Sequence, residues 1–159
     1  MDLRKLTPFL SVSPQITAEE IGIAASMGFK TLICNRPENE SEDQPEMQGI
    51  IEAAERQGMA WHYQPVISGK VTDEDAAEFG VLLKEVQGPV LAFCRTGTRC
   101  TTLWALSESN HLDPNTLLET AQSAGYDLAG LRSRLEANHA ASNPQVKIAG
   151  RRHEIIIVG

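Results

Sequence analysis

Short apolar blocks alternate along this chain with longer stretches in which apolar residues recur at helical spacing. Leu10-Ser11-Val12-Ser13 alternates and predicts a short edge strand. Thr17-Ala18-Glu19-Glu20 reads as a capping box, opening a helix that reaches about Met27 with Ile21, Ala24 and Ala25 inward and Gly28 as its stop. Lys30 to Cys34 predicts a buried strand, broken by Asn35-Arg36-Pro37, and the acidic stretch from Glu38 to Glu46 predicts a solvated loop. Met47, Ile50, Ile51 and Ala54 mark a helix to Gln57, which Gly58 closes, and Met59 to Val66 is strand-like, ending near Pro65. After a turn at Ser68-Gly69-Lys70, Thr72-Asp73-Glu74-Asp75 is a second capping signal, with Ala76, Phe79, Leu83 and Val86 as the buried face of the next helix. Pro89 to Phe93 predicts a buried strand, and Thr101 to Leu106 the first turns of a helix. Asp113-Pro114 starts another helix, and a last one runs from about Leu128 to Ala137.

Strands alternating with helices predict an α/β domain: a mainly parallel sheet flanked by helices on both faces. Ligands in such sheets sit beyond the carboxyl ends of the strands. That rule places Asn35-Arg36, Pro65 to Ser68 and the loop from Cys94 on one rim.

At 159 residues the chain has the length of one ordinary domain, and its mean hydropathy of -0.22 is that of a globular protein without a membrane-length apolar run. The net charge of -7 argues against nucleic acid or an anionic membrane surface as the main partner. No signal-peptide core follows Met1, so the expected compartment is the cytoplasm. Cys34, Cys94 and Cys100 lack the paired C-x-x-C spacing of a zinc site, and the histidines show no metal spacing, so no metal is expected.

The informative stretch is Phe93-Cys94-Arg95-Thr96-Gly97-Thr98-Arg99-Cys100. A strand feeding a helix through a polar loop with a Cys at one end and an Arg at the other is an anion cradle, because loop amides and the helix N-terminus converge on one spot. Those same groups lower the pKa of Cys94, giving a nucleophile toward phosphorus or sulfur. Arg99 would hold oxyanions in its planar fork and stabilise charge in the transition state. Gly97 lets the loop turn with its amides inward, while Arg95, Thr96 and Thr98 supply polar contacts to a small anionic substrate. Thr101 offers a hydroxyl close to the sulfur, and Ser68 lies on the same rim. Cys100 reads either as a small packed residue or as a thiol that resolves a persulfide or sulfenate on Cys94. Arg36 reads either as a third positive charge near the pocket or as a surface arginine. Cys34, inside an apolar run, reads as core, as do Trp61, Trp104 and Tyr126.

These residues carry a resemblance. Phe93 to Arg99 resembles the phosphate-binding loop of cysteine-dependent phosphatases, His-Cys-x-x-Gly-x-x-Arg followed by Ser or Thr. With Phe9 to Pro14, Gly28 to Pro37, Pro65-Val66, Thr72 to Asp75, Trp104 to Leu106 and Ala124 to Leu128, the chain from about 3 to 136 is similar to the phosphatase-like domain called beta-lactamase hydrolase-like. The resemblance implies a dual-specificity-phosphatase-like fold and a phosphatase-like hydrolase, with Cys94 as nucleophile and Arg99 as anion clamp. It departs at three points: Arg99 follows Cys94 after four residues rather than five, Phe93 stands at the His position, and Cys100 follows the Arg. The shorter loop is the size seen in rhodanese sulfurtransferases, which keeps a sulfurtransferase or persulfide-relay function in sulfide metabolism open. A silent anion-binding regulatory module is a third reading. Dual-specificity phosphatases carry an acid Asp after the preceding strand; here Pro65 to Gly69 has none, and Asp73 and Asp75, both helix-start residues, are nearest.

Residues 1–137 thus read as the phosphatase-like domain and 138–153 as a linker. Residues 154–159, ending Ile155-Ile156-Ile157-Val158-Gly159, read either as a terminal strand or as the first strand of a dinucleotide-binding domain. No cofactor is expected for the domain itself. By resemblance to fused family members, such a tail would suit a flavoprotein domain similar to sulfide:quinone oxidoreductase, with FAD as that domain's cofactor.

Overall fold

A computed structural model describes residues 1–142. Five strands form one sheet: β1 (Arg4–Lys5), β2 (Leu10–Ser13), β3 (Thr31–Cys34), β4 (Ala60–Tyr63) and β5 (Val90–Phe93), in the order β1-β2-β5-β3-β4. All neighbours are parallel except β1, which runs antiparallel to β2. Six helices cover it: α1 (Ala18–Ser26), α2 (Met47–Arg56), α3 (Asp73–Glu85), α4 (Thr98–Glu108), α5 (Pro114–Ser123) and α6 (Arg132–Ser142).

Period-two alternation divides the core. Leu32, Cys34, Leu91 and Phe93 pack on α1 and α2, while Ile33, Val90 and Ala92 pack with α3 to α6. Both faces are thereby apolar, which is why β3 and β5 read as continuous hydrophobic runs. Thr17 and Thr72 make the two predicted capping boxes, with Glu20 and Asp75 respectively, and Asp113 caps α5 ahead of Pro114.

Several expectations are corrected: β4 ends at Tyr63 rather than near Pro65, and α4 opens at Thr98, directly after Gly97, rather than at Thr101. β2 is an internal strand, fully buried, because the two-residue β1 covers its outer side. A single 3-10 turn at Ala129–Leu131 precedes α6, which then continues through Ser142, five residues into the stretch read as linker. Residues 143–159, and with them the dinucleotide-binding reading of 154–159, lie outside the described residues. No helix among the described residues is long and apolar enough to cross a membrane.

Candidate active site

The carboxyl ends of β2, β3 and β5 converge on the loop between β5 and α4. Gln15 ties the loop down, its amide donating to the Arg95 carbonyl at 3.2 Å, and the Cys94 amide donates to the Ser13 carbonyl at 3.4 Å. Gly97 sits at the N-cap of α4 with φ +94°, the left-handed region, and a Cβ there would overlap the Tyr126 hydroxyl. Tyr126 lies against the loop and donates to the Thr96 carbonyl at 3.0 Å. Burial pushes its own pKa up to about 12, so it acts as a neutral donor.

This backbone aims hydrogens at one atom. The Gly97 amide donates to Cys94 Sγ at 3.0 Å, and the Thr96 and Cys100 amides also face that sulfur. The Cys100 thiol is the largest influence, donating to Cys94; together with the amides it outweighs burial and lowers the Cys94 pKa to about 5. Cys100, fully buried and beside an anion, is raised well above the ordinary thiol value and stays protonated. Cys94 itself is fully buried beneath the loop. Cys34, also buried, donates to the Arg36 carbonyl at 3.3 Å, and burial raises it to about 12.

Arg99 is buried, with its fork divided between two uses. Nη1 donates to Glu40 Oε2 at 2.7 Å and to the Val66 carbonyl at 3.1 Å, and Nη2 donates to Glu40 Oε1 at 2.7 Å. Glu40 therefore grips the end-on face of the guanidinium. Nε and the second Nη2 hydrogen, which form the side-on face, donate to nothing among the described residues. Arg36 holds Glu40 from behind through Nε at 3.0 Å, and is itself fixed by Gln15 Oε1 at 3.1 Å and the Ser41 hydroxyl at 3.0 Å. Flanked by the two arginines, Glu40 is lowered to about 2, chiefly by the Arg99 hydrogen bonds.

The placement corrects several expectations. The acidic stretch is mostly solvated, but Glu40 turns inward, its side chain only 26% exposed. Arg36 is a buried partner of Glu40 rather than a surface arginine. The Thr101 hydroxyl donates to the Gly97 carbonyl at 2.8 Å, closing a helical turn rather than serving the sulfur. Asp75 accepts the Thr72 amide at 3.0 Å as a cap, and the exposed Asp73 pairs with Arg134 at 3.0 Å; neither lines the cleft above the loop.

That cleft encloses about 280 Å³ and is lined by Ser68, Arg95, Thr96, Thr98, Arg99 and Arg134, among others. Sequence reasoning missed Glu40, Gln15 and Arg134, because nothing in a charged loop or a polar helix marks a residue that reaches a distant loop. No group of three or more potential metal ligands occurs among the described residues.

Residues 2–111 match the family described as beta-lactamase hydrolase-like protein, phosphatase-like domain. The chain is 31% identical over 139 residues to the beta-lactamase hydrolase-like protein of Xylella fastidiosa (strain 9a5c), covering 86% of this chain and 32% of that protein. It thus spans about a third of the length of this curated relative. A crystal structure of a candidate phosphatase from Neisseria meningitidis Z2491 superposes with a TM-score of 0.79 at 37% identity, covering 87% of this chain and 99% of that one. The P. aeruginosa protein TpbA, solved in complex with phosphotyrosine, shares the fold at 17% identity and TM-score 0.64, over 89% of this chain and 90% of that one. The chain belongs to the phosphatase-like domain family of beta-lactamase hydrolase-like proteins.

Proposed function

We propose that this domain is a cysteine-dependent phosphatase-like hydrolase in which Cys94 is the nucleophile and Arg99 the anion clamp. The observation that carries the reading is the pairing of an amide-ringed Cys94 sulfur with an Arg99 whose side-on face is uncommitted. A phosphoryl group seated in the loop would present its oxygens to the amides and to Arg99 Nε and Nη2. The thiolate attacks phosphorus in line with the departing oxygen, forming a phosphocysteine that water then hydrolyses. Amides and guanidinium stabilise the equatorial oxygens as charge shifts onto them. Glu40 is a positioning residue: held by Arg36, it keeps the guanidinium edge-on to the loop.

A second reading has its own support. Among the described residues no carboxylic acid lines the cleft, and transfer of a sulfane sulfur to a thiolate needs none. One experiment separates the readings: the purified chain is assayed with an aryl phosphate and with thiosulfate plus cyanide. Turnover of the aryl phosphate alone, abolished in Cys94→Ser, is the expected result. Turnover of thiosulfate alone would favour sulfur transfer, and binding of phosphate without turnover of either would leave an anion-binding module. Aryl phosphate activity that survives in Cys94→Ser would overturn the site assignment.

A further inference from the structure

The chain carries 21 acidic side chains against 14 basic ones, yet of the ten described residues lining the cleft three are arginines and none is acidic. Arg99 serves the loop. Arg95 is exposed and has no ion-pair partner among the described residues. Arg134, on α6, donates once to the Val71 carbonyl at 3.1 Å and once to Asp73 at 3.0 Å, leaving three of its five N–H groups uncommitted. One phosphoryl group satisfies the loop and Arg99, so the other two arginines are surplus to a monoester. The hydroxyls of Ser68, Thr96, Thr98 and Thr102 complete a polar wall. A volume of 280 Å³ is small for a ligand site, which suits a compact metabolite better than a protein segment.

The same lining, among the described residues, holds no side chain able to protonate a leaving group. Among the described residues His, Lys, Asp and Glu are all absent from it, and the two aspartates at the start of α3 are committed to a cap and to Arg134. An alkoxide would leave poorly from such a site, whereas a phosphate leaves without a proton.

Resting on the hydrolase reading above, we propose that the cleft takes a small diphosphate, with the terminal phosphoryl in the Cys94 loop and the inner phosphate between Arg95 and Arg134. The Cys94 thiolate bonds to the terminal phosphorus as the bond from that phosphorus to the bridging oxygen breaks. The electron pair of that bond stays on the oxygen, and the inner phosphate departs as an anion that needs no proton. Water then displaces the thiolate from phosphocysteine; both water protons leave with the product as dihydrogen phosphate, and Cys94 is again a thiolate.

The test compares kcat/KM for inorganic pyrophosphate, an aryl phosphate, an alkyl phosphate and a phosphotyrosyl peptide, in the wild-type chain, Arg134→Gln and Arg95→Gln. Pyrophosphate is expected to exceed the alkyl phosphate by about 100-fold or more, the size of a missing general acid. Each arginine variant is expected to lose about tenfold more on pyrophosphate than on the aryl phosphate. Equal loss on both substrates, an alkyl ester cleaved as fast as pyrophosphate, or the peptide preferred over pyrophosphate would overturn the proposal. If the aryl phosphate is not turned over, the hydrolase reading has failed separately, and calorimetry still decides the diphosphate site. Methylenediphosphonate should then bind more tightly than inorganic phosphate and lose that advantage in Arg134→Gln; equal affinity for the two ligands overturns it.

Discussion

At the residue scale the proposed chemistry depends on a sulfur whose proton is drawn off by its neighbours. The ordinary thiol value of 9.0 falls to about 5 in the folded chain, so Cys94 is a thiolate throughout the neutral range. Because the folded pKa is depressed, the stabilisation from ionising Cys94 is fully present above the unfolded value near 9 and is lost as pH falls through about 5. Titrating the thiolate ultraviolet absorbance of the wild type against Cys94→Ser should show an inflection near pH 5. Cys100→Ala should move it upward, since the Cys100 thiol is the strongest single donor to the anion. An inflection that stays at the ordinary thiol value in the wild type would refute the electrostatic account.

Glu40 is the second residue that matters individually. Its carboxyl drops from 4.5 to about 2 between Arg99 and Arg36, so the pair contributes fully above pH 4.5 and fades as pH falls toward 2. Urea unfolding should therefore show Glu40→Gln less stable than the wild type at neutral pH, with the gap closing in that acid window. On the aryl phosphate, kcat is expected to fall about 10- to 100-fold through loss of Arg99 orientation. An unchanged kcat would remove Glu40 from the site.

The element that matters most is the turn from β5 into α4. The Tyr126 hydroxyl fills the space that a Cβ on the left-handed Gly97 would need, so the loop amides keep their inward direction only with glycine there. Gly97→Ala should lower stability by about 1–3 kcal/mol, the cost of a non-glycine residue held in that region, and should also weaken phosphate binding. Tyr126→Phe, which removes only the bond to the Thr96 carbonyl, should lose about 1 kcal/mol in a urea titration. Elements of this kind were legible where the signal is local. The capping boxes at Thr17 and Thr72, the Asp113-Pro114 start and the loop itself all depend on residues within a few positions of one another. β1 was illegible because two residues carry no periodicity, and without β1 the buried β2 reads as an edge.

Over the whole molecule, the sheet is a two-sided core that presents its carboxyl ends as one rim. Phe79, fully buried, joins α3 to the face of the sheet shared with α4. Phe79→Ala should cost about 3–5 kcal/mol, read as a lowered denaturation midpoint with unchanged slope. No residue of α3 is among the described residues lining the cleft, so phosphate affinity at low temperature is the control that separates global loosening from damage to the site.

What the sequence alone determined were the α/β architecture and the strand-loop-helix that runs from β5 through Cys94 to Arg99 into α4. Alternation, helix caps and the spacing of one cysteine, one glycine and two arginines are all properties of neighbours along the chain. What only the tertiary structure decided was how that loop is equipped. Glu40 comes to Arg99 from 59 positions away, Tyr126 to Thr96 from 30, and Arg134 to the cleft from a helix near the end of the described residues. No local rule ranks one glutamate of an acidic loop above the next. The choice is made when β3 and β5 pair and bring the ends of their loops within hydrogen-bonding reach.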